Sequence, residues 1–230
     1  MATAHPFALF GTDHVAVLAL VAGAMVALII GRRWITEPRD RWLRRVAAIV
    51  LLSNEVIALI VAVLQGRARV PLQLCDVALF ATVWALWWPK HRMSELAYFW
   101  GMTGSVQALL TPDLRESFPS YWWITFFIVH GGVVCSAVYL AVTDRVRPTI
   151  RSIWYVFGVS NVYVLVAGCL NGIYGTNYGY LAHKPSQPSL LDYFGPWPYY
   201  IGVMEIAALG LFFLAYLPFM WVRPQRSGTY

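Results

Sequence analysis

Residues 31–45 read GRRWITEPRDRWLRR, six arginines set between two long apolar runs. Basic residues crowded into a short connection between apolar stretches mark a chain that enters a bilayer on both sides of a cytoplasmic turn. The composition agrees. Hydrophobic residues make up 59% of the chain, charged residues 12%, and the mean hydropathy is +0.59. Soluble domains carry about 25% charged residues. A chain of 230 residues cannot hide this much apolar surface in a water-soluble core, whereas a bilayer accepts it. The fold expected is therefore all-α, a polytopic membrane bundle in one domain over residues 1–230, multi-pass in the cell membrane. No basic residue precedes the first apolar run, so no cleaved signal peptide is expected. The formal charge of +6 lies in short connections, which speaks for membrane topology and against a nucleic-acid partner.

Outward from this turn, seven stretches qualify as transmembrane helices: 14–30, 46–64, 71–88, 96–110, 121–142, 150–172 and 198–222. The fourth is short and holds Gly101 and Gly104. Alternate connections then collect Arg32, Arg33, Arg39, Arg41, Arg44, Arg45, Lys90, Arg92, Arg145, Arg147, Arg151, Arg223 and Arg226 on one side. Only Arg67, Arg69, Arg115 and Lys184 fall on the other. The positive-inside rule puts the first group in the cytoplasm, with the N-terminus outside and the C-terminus cytoplasmic. Trp87, Trp88, Tyr121, Trp122, Trp123, Trp197, Tyr199, Tyr200 and Trp221 sit at stretch ends, as interfacial anchors do.

Polar residues inside such stretches are costly and are functional candidates by default. Glu55, Gln73, Cys75, Asp76, Gln107, His130, Glu205 and His14 all fall in the middle or outer half. The inner halves hold only Asn161 and a few hydroxyls. This sorting predicts one polar cavity in the outer half, with a packed apolar plug beneath it. The alternative is that each group hydrogen-bonds a neighbouring helix as packing glue. Residues 171–200 form a proline-, glycine- and aromatic-rich outer segment, expected to be rigid and either a lid or a plain anchor.

A thiol and an imidazole in one cavity supply a nucleophile and a base. Cys75 and His130 are the catalytic candidates, with Glu55 or Glu205 to orient the imidazole. Gln73, Asp76, Gln107 and His14 are cavity-lining. Cys135 and Cys169 lack such company, and three scattered thiols make no disulfide framework. In an outer cavity the carbonyl within reach is a lipid ester, so membrane lipids are the expected partners. No cofactor is expected. No two histidines stand four residues apart, so no metal is expected either. Glu55, Glu205 and His130 would also suit a proton relay, but the polar groups stop halfway. The oligomeric state is left open.

Five motifs carry a resemblance: VPLQLCDVALF (70–80), GSVQALLTPDL (104–114), FPSYWWITFFIVHGG (118–132), NYGYLAHKP (177–185) and SLLDYFGPWPYYI (189–201). Together they resemble the bacterial YwaF-like integral membrane proteins, which are similar to the animal transmembrane protein 164 family. The resemblance implies seven spans and acyl transfer to ether-linked lysophospholipids through a cysteine. Relatives of that family include membrane hydrolases with a threonine nucleophile and a histidine. Carried over by motif, the cysteine is Cys75 and the histidine His130. The expected function is a phospholipid or lysophospholipid acyltransferase working through a cysteine thioester. The alternative is a non-enzymatic transporter or receptor that binds a lipid or small molecule in the same cavity.

Overall fold

The computed structural model describes residues 5–67, 69–89 and 91–220. Lys90, Trp221, Arg223, Arg226 and the last two residues of the 198–222 stretch lie outside the described residues. The remainder is helical, with an isolated antiparallel bridge between Pro6 and Glu116. The helices are α1 (Thr12–Gly31), α2 (Glu37–Leu64), α3 (Leu74–Trp87), α4 (His91–Trp100), α5 (Val106–Leu110), α6 (Tyr121–Val142), α7 (Ile150–Tyr174) and α8 (Tyr199–Met220). A π-helical turn, Gly101–Ser105, joins α4 to α5 in one continuous rod.

Five helices are long and apolar enough to cross a membrane: α1, which with the following turn runs Thr12–Trp34, then α2, α6, α7 and α8. Their outward faces are apolar. Leu20 is 71% exposed, Leu165 70% and Ile206 74%, surfaces that lipid covers and water would not tolerate. The chain is a multi-pass membrane protein. α3 is apolar but only 14 residues long, about 21 Å. The α4–α5 rod is of another kind, because it carries Arg92 and Glu95 near its start and buries Leu96 to Trp100.

α6 and the α4–α5 rod form the middle of the bundle. α1, α2 and α3 pack on α6, while α7 and α8 pack on α4 and the π turn respectively. Leu51, Leu86, Phe99, Leu140, Ile153 and Phe212 join these elements in one apolar core. Gly131 and Gly132 set how closely α6 meets its neighbours. A Cβ on Gly131 would lie 2.9 Å from Val21 Cγ2, and one on Gly132 would lie 2.7 Å from Leu51 Cδ2. The two glycines thus receive α1 and α2 on adjacent faces.

Beside this packed apolar core the bundle also buries charge. α2 begins at Glu37, nine residues before the apolar run, behind the Thr36 N-cap and with Pro38 in its first turn. Asp40 and Arg44 are therefore helical and buried, at 3% and 6% exposure. Asp40 Oδ2 accepts hydrogen bonds from Arg44 Nε (3.0 Å) and Arg145 Nη2 (2.7 Å). Its Oδ1 accepts from the Tyr139 hydroxyl at 2.8 Å. Arg44 Nη1 donates to the Leu86 carbonyl at 2.6 Å, so one carboxylate ties α2, α3, α6 and the loop after α6. Nearby in the rod, fully buried Glu95 accepts from Ser152 Oγ and pairs with Arg92 at 3.2 Å. Burying these charges is tolerable because each finds an opposite charge and further hydrogen bonds.

Candidate functional site

The connection from α2 to α3 ends in Pro71, and Gln73 then caps α3. The Asp76 carboxylate reaches back and accepts the Gln73 N–H on Oδ2 at 2.8 Å, the return half of a capping box. This places Cys75 in the first helical turn, half-buried. Its Sγ–H donates to the other Asp76 oxygen, Oδ1, at 3.7 Å. One carboxylate thus fixes the helix start with one oxygen and holds the thiol with the other. The site also sits at the positive end of the α3 dipole, which favours negative charge.

Four more groups surround this pair. Glu55 on α2 and Arg69 in the connection both act electrostatically on Cys75, and on each other. Tyr163 on α7 and Tyr180 in the outer segment also lie within electrostatic reach of Cys75. The Tyr163 hydroxyl donates to the Leu72 carbonyl at 3.0 Å, and that of Tyr180 to Asp113 Oδ2 at 3.2 Å. Burial, and then the Asp113 carboxylate, push the Tyr180 phenol above its ordinary value, so it remains a neutral donor. Arg69, Tyr163 and Tyr180 were not among the residues singled out from the sequence. Arg69 was legible only as a topological charge. The two tyrosines reach the site through loop and helix packing that no spacing encodes.

The outer segment folds back over the start of α3. Gln73 Oε1 accepts the Gly179 N–H at 2.9 Å, and its Nε2 donates to the Asn177 carbonyl at 3.3 Å. Gln73 therefore spends both ends of its amide on this segment and lends neither to chemistry. Asn171 holds Tyr178 through both backbone groups, at 3.0 and 2.7 Å. Asp113 Oδ1 accepts from Ser186 Oγ at 2.9 Å, and Trp197 Nε1 donates to the Leu181 carbonyl at 3.0 Å.

The other candidates are dispersed. His130 lies on α6, buried and stacked on Phe126 with ring centroids 4.0 Å apart. Its Nδ1 faces the Phe126 carbonyl at 2.8 Å, so Nδ1 carries the proton and Nε2 is left as an acceptor. Among the described residues no hydrogen bond joins it to Cys75. His14 is 1% exposed and uses both ring nitrogens. Nδ1 accepts the Phe10 N–H at 3.0 Å, and Nε2 donates to the Leu109 carbonyl at 2.8 Å. It latches α1 to α5. Glu205 on α8 accepts from Asn161 Nδ2 on α7 at 3.1 Å, an interhelical pair of the packing-glue kind. The Gln107 amide makes no hydrogen bond among the described residues. Of the eight candidates, Glu55 lies within electrostatic reach of Cys75 and Asp76, while His14 and Glu205 have local partners.

Two grooves among the described residues lie at the surface. One, of about 530 Å³, is lined by Gln65, Arg67, Glu116, Ser120, Tyr121 and Trp122. The other, of about 410 Å³, lies on the outward face of α2. Neither is lined by Cys75 or His130. Cys75, Cys135 and Cys169 are free thiols. Among the described residues no three His, Cys, Asp or Glu side chains are grouped to hold a metal. A family model, that of the TMEM164 family, matches residues 9–216. No curated protein and no solved structure matches the chain.

Proposed function

Because the chain belongs to the TMEM164 family, we propose that it is an integral membrane acyltransferase that moves a fatty acyl group between phospholipids through a thioester on Cys75. In this reading it is of the bacterial YwaF-like kind. All seven helical stretches then lie in the cell membrane as spans, with the N-terminus outside and the C-terminus cytoplasmic. The observation that carries the proposal is the hydrogen bond from Cys75 Sγ to Asp76 Oδ1 at the start of α3. A thiol in apolar surroundings is inert unless a neighbour takes its proton, and here a carboxylate is already in place to do so.

The proposed chemistry has two steps. Asp76 takes the Sγ proton, and the sulfur attacks the carbonyl carbon of a lipid ester. The C–S bond forms, the ester C–O bond breaks, and the leaving glycerol oxygen takes the proton from Asp76. In the second step the hydroxyl of a lysolipid attacks the thioester carbonyl. Its proton passes to a base as the new ester C–O bond forms and the C–S bond breaks, and that base returns the proton to the departing thiolate. His130, with Nε2 left as an acceptor, is the base proposed for this second step. Arg69 offsets the negative charge that Glu55 and Asp76 gather around the sulfur.

A second reading, a lipid-binding membrane protein without chemistry, is favoured by one observation. The outer segment is latched above Cys75 through both ends of the Gln73 amide. Purified wild type and Cys75→Ser, each with labelled phospholipid and a lysolipid acceptor, separate the two. The acyltransferase reading expects an acyl–protein adduct on Cys75 by mass spectrometry in wild type, and loss of at least about 10²-fold in transfer by the serine variant. Absence of the adduct, or equal transfer by both proteins, leaves the binding reading in possession.

A further inference from the structure

α2 is longer than a bilayer core requires. Its 28 residues extend about 42 Å, against a hydrocarbon thickness of about 30 Å. Residues 46–64 alone cover about 28 Å, so the first turns stand at headgroup level whichever way the chain is inserted.

On those turns charge is sorted by face. The acids are spoken for: Asp40 by Arg44, Arg145 and Tyr139, and Glu37 by Arg145. Arg41 and Arg45, one helical turn apart, are exposed and have no hydrogen bond or ion pair among the described residues. They line the groove of about 410 Å³ together with Pro38, Trp42, Val46 and Ile49. Trp42 is 63% exposed and Ile49 51%. The groove therefore has a doubly cationic end at headgroup depth, an aromatic wall, and an apolar floor that runs toward the hydrocarbon.

We propose that this groove binds an anionic phospholipid of the phosphatidylglycerol type, with its phosphodiester between Arg41 and Arg45. Two guanidinium groups suit phosphate oxygens in geometry and in charge. A zwitterionic headgroup would bring an ammonium against the same arginines. A free phosphate would leave Val46 and Ile49 uncovered, whereas the first acyl segment of a lipid lies along them. The site is independent of chemistry at Cys75.

The test uses the full chain in nanodiscs of phosphatidylcholine with a minor share of phosphatidylglycerol, and native mass spectrometry to count retained lipid. Each juxtamembrane basic residue contributes roughly fivefold, so Arg41→Gln with Arg45→Gln should weaken phosphatidylglycerol retention by about thirtyfold. The Lys pair at the same positions should keep most of it, and Arg67→Gln should keep all of it. If the Gln pair does not fold, either single Gln variant carries the same test at about fivefold. Several results would overturn the site: wild-type retention by the Gln variants, equal loss in Arg67→Gln, equal retention of phosphatidylcholine, or displacement by soluble glycerol phosphate. The last would make a free phosphate the ligand.

Discussion

Asp76 does two jobs with two oxygens, and the tasks can be separated by substitution. Asp76→Asn keeps one acceptor oxygen, which can serve the Gln73 N–H or the thiol but not both. Among the described residues, it also removes the only group in hydrogen-bond contact with Sγ that can take a proton. The helix start should lose about 1 kcal/mol, while acyl transfer should fall by about 10²-fold. Transfer from labelled phospholipid, measured beside wild type, checks this, and an unchanged transfer rate would sink the base role. At this scale the sequence was readable in part. Gln73, Cys75 and Asp76 fall within one turn, so their grouping was visible. The use of Gln73 as a loop anchor was not, because its partners Asn177 and Gly179 lie more than a hundred residues away. His14 is similar. It stood out as a polar residue in an apolar stretch, yet the Leu109 carbonyl that occupies it is 95 residues distant.

Buried charge decides the behaviour of α2. Asp40 is shared by two arginines and a tyrosine, so Asp40→Asn leaves Arg44 enclosed with only the Leu86 carbonyl and a neutral amide. Breaking a buried pair from one side costs about 3–5 kcal/mol. Glu37→Gln removes a partner of Arg145 whose own side chain is 70% exposed, and should cost less than about 1 kcal/mol. Thermal unfolding in detergent, followed by circular dichroism, compares them. Equal melting temperatures for the two variants would contradict the clamp. The apolar runs of α1, α2, α6, α7 and α8 announced these helices because their outward faces meet lipid. Two features escaped that reading for a common reason. Arg44 lies beside the apolar run of α2, and Glu95 beside that of the rod. Arg44 looked like a loop charge, although its four-residue spacing from Asp40 matches one helical turn, and Glu95 falls just before the 96–110 stretch. Hydropathy measures affinity for lipid, and these residues are buried in protein.

For the molecule as a whole, the arrangement of basic residues predicts an external N-terminus and a cytoplasmic C-terminus. A reporter fused after Tyr230 should be active only in the cytoplasm, and activity confined to the outside would reverse the orientation. The five long apolar helices leave the span count to α3 and the α4–α5 rod, and α3 introduces a mechanical consequence. At about 21 Å it falls short of a hydrocarbon layer of about 30 Å, yet it turns Phe80, Trp84, Trp87 and Trp88 outward. A short hydrophobic element beside longer ones is matched by local thinning of the bilayer. With α3 as one of the seven proposed spans, the lipids next to it are dimpled, and their glycerol esters are drawn toward the level of Cys75. For the proposed acyl transfer, membrane thickness then becomes a control on turnover: transfer should be fastest in bilayers of short-chain lipids and slow as the chains lengthen. Assaying one preparation across a series of chain lengths measures this, and a flat profile would mean that the dimple has no part in presenting the ester.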